Sequence, residues 1–186
     1  MEEHLGSFQV ELIRSRTANV MNDRLLLAGM LSSATLINRF FPTGQVYKEF
    51  YKSSENLFDL LQFPDIWALG YFKWELELLE TLGFGLDLEK CAVTGSTEDL
   101  KFISPKSGRA VSQAAAGAWS SKLLPFPIAA SGQVNSLEDI LDGLKVSQFF
   151  LERKVLVAFG IEQLPTARAR FIYSLEKKIR NSTLHL

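Results

Sequence analysis

The chain has 186 residues, 47% of them apolar and 22% charged, as expected for one globular domain that folds without a metal or a disulfide. The net charge of −1 singles out no class of partner, and a single cysteine excludes an internal disulfide and a multi-cysteine metal site. The first residues are acidic and no apolar run is long enough to span a bilayer, so we expect a cytoplasmic protein with no membrane partner.

Charge is unevenly distributed along the chain. Residues 1–100 hold 8 Lys and Arg against 15 Asp and Glu, residues 101–144 hold 4 against 3, and residues 145–186 hold 8 against 3. An acidic front and a basic tail can give a polar molecule with one face suited to anions.

The first predicted element is a β-strand at residues 4–14. Phe8, Val10 and Leu12 alternate with polar residues, a pattern typical of a half-buried strand. A single strand here has no local partner with which to pair. We therefore interpret it as the end of a larger structure.

Helical spacing of apolar residues follows. It predicts helices at about 17–41, 46–61 and 66–82, separated by Pro42-Thr43-Gly44 and by Phe63-Pro64-Asp65. Glycine directly after the third helix is a usual C-terminal signal. The front of the chain is therefore expected to be helical.

The third helix carries the strongest pattern. One stripe is apolar, and the acidic residues between are interpreted as a solvated face rather than as acid–base groups. The stripe consists of Leu69, Phe72, Leu76 and Leu79, and the acidic residues are Glu75, Glu77 and Glu80.

The second half combines a small hairpin with further helices. Leu100–Ile103 and Arg109–Ser112 are candidate strands joined by turn residues, within an insert at about 91–135. Further helices are predicted over 136–159, with a glycine that could interrupt the run, and over 167–180. The predicted fold class is mainly α, a helical domain with a small β-hairpin insert.

No set of residues typical of catalysis is present. The two histidines, His4 and His185, lie near opposite chain ends, and there is no phosphate-binding GxxxxGK[ST] loop. Gly83-Phe84-Gly85 is a lone GxG that we interpret as a helix stop. We therefore do not expect an enzyme.

Three linked pieces of the chain resemble the RecO family of recombination mediators. The helix at 71–85 ends in Leu-Gly-aromatic-Gly as that family's signature helix does, and residues 86–91 follow it as in the family. Residues 100–109 are similar to the family's Phe-x-Ser-Pro-x-x-Gly hairpin, and 149–153 to its late helix. The resemblance covers almost the whole chain, more weakly at 42–65 and 113–135.

The resemblance implies a domain organisation. Residues 17–186 would form the family's C-terminal helical domain with its hairpin insert. Residues 1–16 would be a remnant of the last strand of the family's N-terminal OB-fold, with its exit linker. We therefore expect a truncated OB-fold in which most of the barrel is missing.

Many family members hold zinc at this hairpin with two Cys-x-x-Cys pairs. In this chain Cys91 matches the first cysteine of the first pair, but Thr94 stands in place of its second cysteine. The second Cys-x-x-Cys pair would fall near Ser112 and Ala115. One thiolate cannot supply a four-ligand structural zinc site. The resemblance thus leads us to expect a zinc-ribbon-like but metal-free hairpin and no cofactor. Apolar packing would hold it together, through Phe102, Ile103 and Val111.

The family's binding of single- and double-stranded DNA implies a basic surface. Phosphate contacts need Lys or Arg on a shared face, and they carry no sequence preference. The alternative is a solvated basic surface without a ligand, and the tryptophans at 67, 74 and 119 are interpreted as packing rather than base-stacking residues. The hairpin and late helices supply the candidates Lys101, Lys106, Arg109, Lys122, Arg153, Lys154, Arg170, Lys177 and Lys178.

The resemblance also implies two protein partners. These are RecR and the acidic, Phe-ended tail of single-strand DNA-binding protein (SSB). Such a tail needs an apolar pocket for its ring and a cation for its carboxylates. Residues of suitable type are Arg39, Lys52, Phe72, Lys73 and Leu76, although Phe72 and Leu76 could equally be ordinary core.

The expected function is that of a non-enzymatic recombination mediator. It would bind SSB-coated single strands and RecR, promote annealing and help RecA load onto DNA. The alternative is a helical protein-interaction module without DNA binding of its own. What separates the two is whether the basic residues of 101–122 and 153–180 meet on one face.

Overall fold

Three helices form the front of the molecule. The computed structural model describes residues 9–12, 15–16 and 20–183. Within them lie α1 (Arg24–Phe40), α2 (Lys48–Asp59), which continues as a 3-10 turn to Gln62, and α3 (Pro64–Thr81). The three predicted helices are thus confirmed, and so is the mainly α fold class.

Capping residues set where these helices begin. The Asp23 side chain accepts hydrogen bonds from the backbone N–H groups of Leu25 and Leu26, so α1 starts several residues later than its apolar pattern suggests. Pro64 occupies the first turn of α3, where its fixed φ suits a helix and its missing N–H is not needed.

Helix α3 lies at the centre of the helical body, packed against α1, α2 and α5 (Leu137–Phe150). Its buried side chains include Trp67, Tyr71 and Trp74, so more than one stripe faces inward. Phe72 and Leu79 of the predicted stripe are fully buried, whereas Leu69 and Leu76 are only partly buried. The predicted solvated face is wrong for Glu75, which is buried, and right for the exposed Glu77 and Glu80.

The predicted hairpin is confirmed within a three-stranded antiparallel sheet ordered β2-β1-β3. Strand β1 (Leu100–Ile103) pairs with β2 (Ala110–Ser112), with Phe102 opposite Val111. Strand β3 (Leu124–Pro125) pairs with the other edge of β1. The sequence did not predict β3, because two residues are too few to show a strand period.

The sheet joins two apolar clusters. Ile103 belongs to the main helical core, whereas Val111 packs with Cys91 and Ala116 in a small separate cluster. The predicted packing of the hairpin through apolar residues is therefore observed, but Ile103 and Val111 face different clusters.

The last third of the chain is helical again. Ser136 and Asp139 form a capping box at the start of α5, and the glycine at 143 does not interrupt the helix. A π-helical turn (Leu151–Val155) then leads into α6 (Leu156–Phe159), which ends at Gly160. Helix α7 (Thr166–Thr183) packs along α1.

The segment before α1 is described only in part. Residues 9–12 form no strand, and Val10 and Leu12 are 87% and 79% exposed. The rest of the strand predicted at 4–14 lies outside the described residues, so the assignment of 1–16 to an OB-fold stays a prediction. Arg16 is held on α2 through ion pairs of 2.9 Å to Glu55 and Asp59. Among the described helices, none has the length and apolar character needed to cross a membrane.

Candidate nucleic-acid and peptide interfaces

A cleft of about 280 Å³ lies between the end of α3, the hairpin turn and the π-helical turn, and we call it the hairpin cleft. Lys106 comes from the hairpin and Lys154 from the π-helical turn, so two of the predicted DNA-binding residues meet here. The full lining is Gly83, Phe84, Gly85, Lys106, Ser107, Gly108, Phe150 and Lys154.

Glycine shapes both walls of the hairpin cleft. Gly83 ends α3 with φ +86°, and Gly108 closes the hairpin turn with φ +70°, its N–H donating to the Ser104 carbonyl at 2.8 Å. A Cβ at Gly108 would also lie only 3.0 Å from the Leu86 side chain. Both walls therefore include backbone without a side chain.

The other hairpin cations differ in their surroundings. Arg109 is paired with Asp87, Nε to Oδ2 at 3.3 Å, so its charge is partly neutralised. Lys101 is exposed on β1, and Lys122 lies over the ring of Trp119 with Nζ 4.7 Å from the centroid. The hairpin candidates therefore do not form one uniform surface.

A second basic site lies on α7. Lys177 and Lys178 line a cleft of about 480 Å³ together with Arg24 of α1, which the sequence reasoning missed. Arg170 is exposed elsewhere on α7, and Arg153 is exposed on the π-helical turn next to Lys154. The nine candidates thus fall into a hairpin-cleft pair, an α7 pair, the ion-paired Arg109 and four exposed cations in neither cleft lining: Lys101, Lys122, Arg153 and Arg170.

The three tryptophans differ in how far they are exposed to solvent. Trp67 and Trp74 are 0% and 2% exposed, and their Nε1 atoms donate at 3.0 Å to the Leu57 carbonyl and to Ser54 Oγ. The packing role expected for these two is therefore observed. Trp119 is 65% exposed, so the packing interpretation is wrong for it.

The predicted peptide-binding residues line none of the clefts and pockets found among the described residues. Phe72 is 0% exposed, with its ring against Gly143 of α5, so it cannot receive a ligand from solvent. Lys52 and Lys73 are exposed on α2 and α3, and Arg39 is exposed in the last turn of α1. Of the predicted pair of apolar residues only Leu76 keeps some exposed surface.

An apolar pocket of about 300 Å³ lies instead between the end of α1 and α2, and we call it the α1–α2 pocket. The Phe41 ring stacks on Phe50 at 4.8 Å and meets Tyr47 edge-on at 4.6 Å. The concentration of aromatic residues between 40 and 58 is the sequence signal that could have revealed it. Its lining is Ile37, Phe41, Gln45, Tyr47, Phe50, Tyr51, Ser54, Glu55 and Phe58.

A buried ionic network was not foreseen. Arg168 of α7 donates from Nε and Nη2 to both carboxylate oxygens of Glu75, each at 2.8 Å, and from Nη2 to the Leu144 carbonyl at 2.9 Å. Burial alone would lower the pKa of Arg168, but the Glu75 carboxylate raises it above the ordinary range. The only sequence signal was one carboxylate within an apolar face.

Cys91 is the residue that the resemblance matches to one of the family's zinc ligands. Its thiol is buried and accepts hydrogen bonds from the Ser112 backbone N–H at 3.3 Å and from Ser112 Oγ at 3.5 Å. Burial raises the pKa of the thiol, but donors from Ser112 and Thr94 outweigh it and lower that pKa to about 6. Ala115 offers no donor atom, so these residues do not fit a four-ligand zinc site.

The family model that matches this chain and its curated relatives carry the same protein name. The family model for the C-terminal part of recombination protein O matches residues 21–160. The chain is 45% identical to the DNA repair protein RecO of Ruegeria sp. over 96% of its own length and 75% of that protein's. It is 44% identical to the DNA repair protein RecO of Jannaschia sp. over 96% of its length and 73% of that protein's. No solved structure matches the chain significantly.

Proposed function

The chain belongs to the RecO family, and on this premise we propose that it acts in DNA repair as a non-enzymatic recombination mediator. In this proposal it binds single- and double-stranded DNA, the SSB tail and RecR, and it promotes annealing and RecA loading. The observation that carries the DNA-binding part is the meeting of Lys106 and Lys154 in the hairpin cleft.

The hairpin cleft suits a phosphate of the DNA backbone. Two lysines from separate elements line a space of about 280 Å³, together with three glycines that add no side chain to its lining. Such contacts neutralise charge and release counterions, so they bind any sequence. Further phosphate contacts are proposed at the remaining cations: Lys101, Arg109, Lys122, Arg153, Arg170, Lys177 and Lys178.

The test is the binding of a labelled single-stranded oligonucleotide, followed by fluorescence anisotropy across a salt series. We expect log affinity to fall linearly with log salt, and each of K106E and K154E to reduce the slope by about 0.7 per lost phosphate contact. The control is K145E, the same charge change on an exposed residue of α5 that is paired with Asp142 and lies outside the cleft lining.

Two outcomes would count against this placement. No binding at low salt would remove DNA binding from the proposal. Binding that survives K106E and K154E as well as it survives K145E would move the DNA surface away from the hairpin cleft. In the second case K177E and K178E would test the α7 cleft, where Arg24 adds a third cation.

The SSB tail is proposed to dock in the α1–α2 pocket. The pocket offers aromatic walls for the terminal phenylalanine ring, and Arg39 and Lys52 belong to the two helices that form it. Glu55 also lines the pocket, but Arg16 already binds its carboxylate at 2.9 Å and so reduces its repulsion of an acidic peptide.

A fluorescent acidic peptide ending in phenylalanine tests this docking. We expect Y51A and R39E to weaken its binding, because Tyr51 is an exposed part of the pocket and Arg39 would meet the carboxylates. K73E is the matched control on α3, and a peptide ending in alanine should bind more weakly. If K73E weakens binding and R39E does not, the tail lies on α3.

A helical protein-interaction module without DNA binding is the second candidate function. The α1–α2 pocket favours it, because it is an apolar site that needs no nucleic acid. Peptide binding without oligonucleotide binding at low salt would support this alternative. The acidic front half of the sequence, residues 1–100, is proposed to face RecR, and the alternative is that it stays in solvent.

A further inference from the structure

Trp119 is an exposed tryptophan in a chain that buries its other two. Its side chain is 65% exposed, whereas Trp67 and Trp74 are at most 2% exposed. Tryptophan is highly buried on average in folded proteins. Its position therefore calls for an explanation other than packing.

The backbone keeps this segment away from the core. Trp119 lies in a 3-10 turn (Gly117–Lys122) in which no residue is buried. The turn follows α4 (Gln113–Ala116), which is capped by Ser112, and Gly117 redirects the chain with φ +46°, a conformation that L residues rarely adopt. The indole is thus displayed by a defined turn that packs on α4, and α4 in turn contacts β1 and β2.

Lys122 completes the arrangement. Its ammonium lies 4.7 Å from the centroid of the Trp119 ring, within the range of a cation–π interaction. The cation covers one face of the indole, and among the described residues no aromatic ring is in contact with the other.

The stretch of sequence around Trp119 carries only positive charges of its own, although Arg109 is paired with Asp87 from outside it. Residues 100–137 hold four cations, Lys101, Lys106, Arg109 and Lys122, and no aspartate or glutamate. An exposed aromatic face within a basic, acid-free segment matches what single-stranded nucleic acid needs, namely a π surface for a base and cations for its phosphates.

We infer that Trp119 stacks on an unpaired nucleobase of single-stranded DNA while Lys122 binds the adjacent phosphate. The inference rests on the proposed DNA binding and adds selectivity for single strands. In a duplex each base is already stacked on its neighbours, so its faces are closed to the indole. Stacking tolerates any base, because every base has a π face.

Intrinsic tryptophan fluorescence tests the inference on the full chain. The probe is an oligothymidylate single strand, with a blunt duplex of mixed sequence at equal occupancy for comparison. We expect the single strand to quench the emission of Trp119 and the duplex to leave it unchanged. Trp67 and Trp74 are buried and hydrogen-bonded, so they supply a constant background.

Substitution separates stacking from charge. W119A should weaken single-strand binding about tenfold, whereas W119F, which keeps an aromatic face, should stay within about threefold of the wild type. Since Trp119 is exposed, W119A should unfold at the wild-type temperature. Duplex affinity should be the same for all three proteins.

The outcomes distinguish this inference from the proposed function. Salt-dependent binding without quenching, and with W119A as tight as the wild type, would overturn the stacking while leaving DNA binding intact. Quenching by SSB protein alone but not by the oligonucleotide would also overturn it, in favour of protein docking. No binding of any oligonucleotide would overturn both.

Discussion

Glu75 and Arg168 lie 93 positions apart in the sequence and form a two-point ion pair inside the core. Their side chains are 0% and 2% exposed, and Arg168 reaches across to the Leu144 carbonyl and to Gln148 Oε1. The pair joins α3, α5 and α7. It holds the late helices, and with them the basic residues they carry, in place on the front of the molecule.

Removing one partner of this pair should destabilise the fold strongly. We expect R168M to lower the free energy of unfolding by about 3–5 kcal/mol, because it leaves the Glu75 carboxylate buried without its cation. Urea denaturation monitored by circular dichroism measures the change. The matched control is D87N, which breaks a half-exposed ion pair with Arg109 and should change stability by less than about 1 kcal/mol.

Replacing both Glu75 and Arg168 should lower the free energy of unfolding less than replacing Arg168 alone. In a double variant, E75L with R168M, Ser147 can still donate to the Leu144 carbonyl and Tyr71 can still bond to Ser32. We therefore expect it to be more stable than R168M. A double variant as unstable as the single one would show that the pair is not the origin of the loss.

Gly143 should not tolerate a methyl group. A Cβ there would lie 2.8 Å from the Phe72 ring, so G143A is expected to lower the free energy of unfolding by about 1–3 kcal/mol despite the better helix propensity of alanine. G70A is the control, because its close contact is the flexible end of Leu60. Thermal unfolding should show G143A rescued in part by F72L and G70A close to the wild type.

The contribution of the Asp23 cap to the free energy of unfolding should be measurable by substituting this residue alone. D23A removes the side-chain acceptor for the N–H groups of Leu25 and Leu26 and should destabilise the protein by about 1 kcal/mol, whereas D23N should retain most of the stability. Chemical denaturation of the two variants provides the comparison. Equal losses in both would point to the charge at the helix start rather than to the hydrogen bonds.

Cys91 should titrate well below an ordinary thiol. Because the chain has one cysteine, the ultraviolet absorbance of the thiolate reports this residue alone, with a midpoint expected at about pH 6. S112A removes one donor to the sulfur and should move the midpoint upward. A midpoint near the ordinary thiol value of 9.0 in the wild type would contradict the effect of these donors.

The lowered pKa of the Cys91 thiol predicts that the stability of the protein depends on pH. The folded thiol has a lower pKa than the unfolded one, so its contribution is complete above the ordinary value of 9.0 and is lost as pH falls through about 6. Between these limits the wild type should gain stability relative to C91A as pH rises. A constant difference between the two proteins across this range would exclude a folded-state thiolate.

Sequence reasoning succeeded where the determining interactions are local. Periodicity and breakers placed the helices, and the turn chemistry between residues 103 and 109 located the hairpin. It failed where the partner is distant. The burial of Glu75 depends on Arg168, and the exclusion of Phe72 from any surface depends on Gly143.

In the candidate site, too, local sequence patterns identified residues, but contacts between distant parts of the chain could not be predicted. The sequence supplied Lys106 and Lys154 as suitable cations, but only the packing of the hairpin against the late helix puts them in one cleft. The aromatic walls of the α1–α2 pocket come from two helices, and spacing within one helix does not reveal them. The exposure of Trp119 follows from a turn that begins at Gly117, for which no periodic pattern exists.

The π-helical turn at Leu151–Val155 adds one residue to a turn of the helix that continues from α5 to α6. It thereby changes which of the later side chains face the core. Inward-facing pairs fall at 143–144, 146–147 and 150–151, and the next falls at 155–156. An uninterrupted α-helix with 3.6 residues per turn would bring the next pair to about 154–155. The one extra residue taken up by the wide turn keeps Lys154 out of the apolar interior, so that it is part of the lining of the hairpin cleft. Deleting one of residues 151–153 should therefore turn this segment into regular α-helix and still leave Val155 and Leu156 facing inward, whereas a substitution there keeps the extra residue and the wide turn.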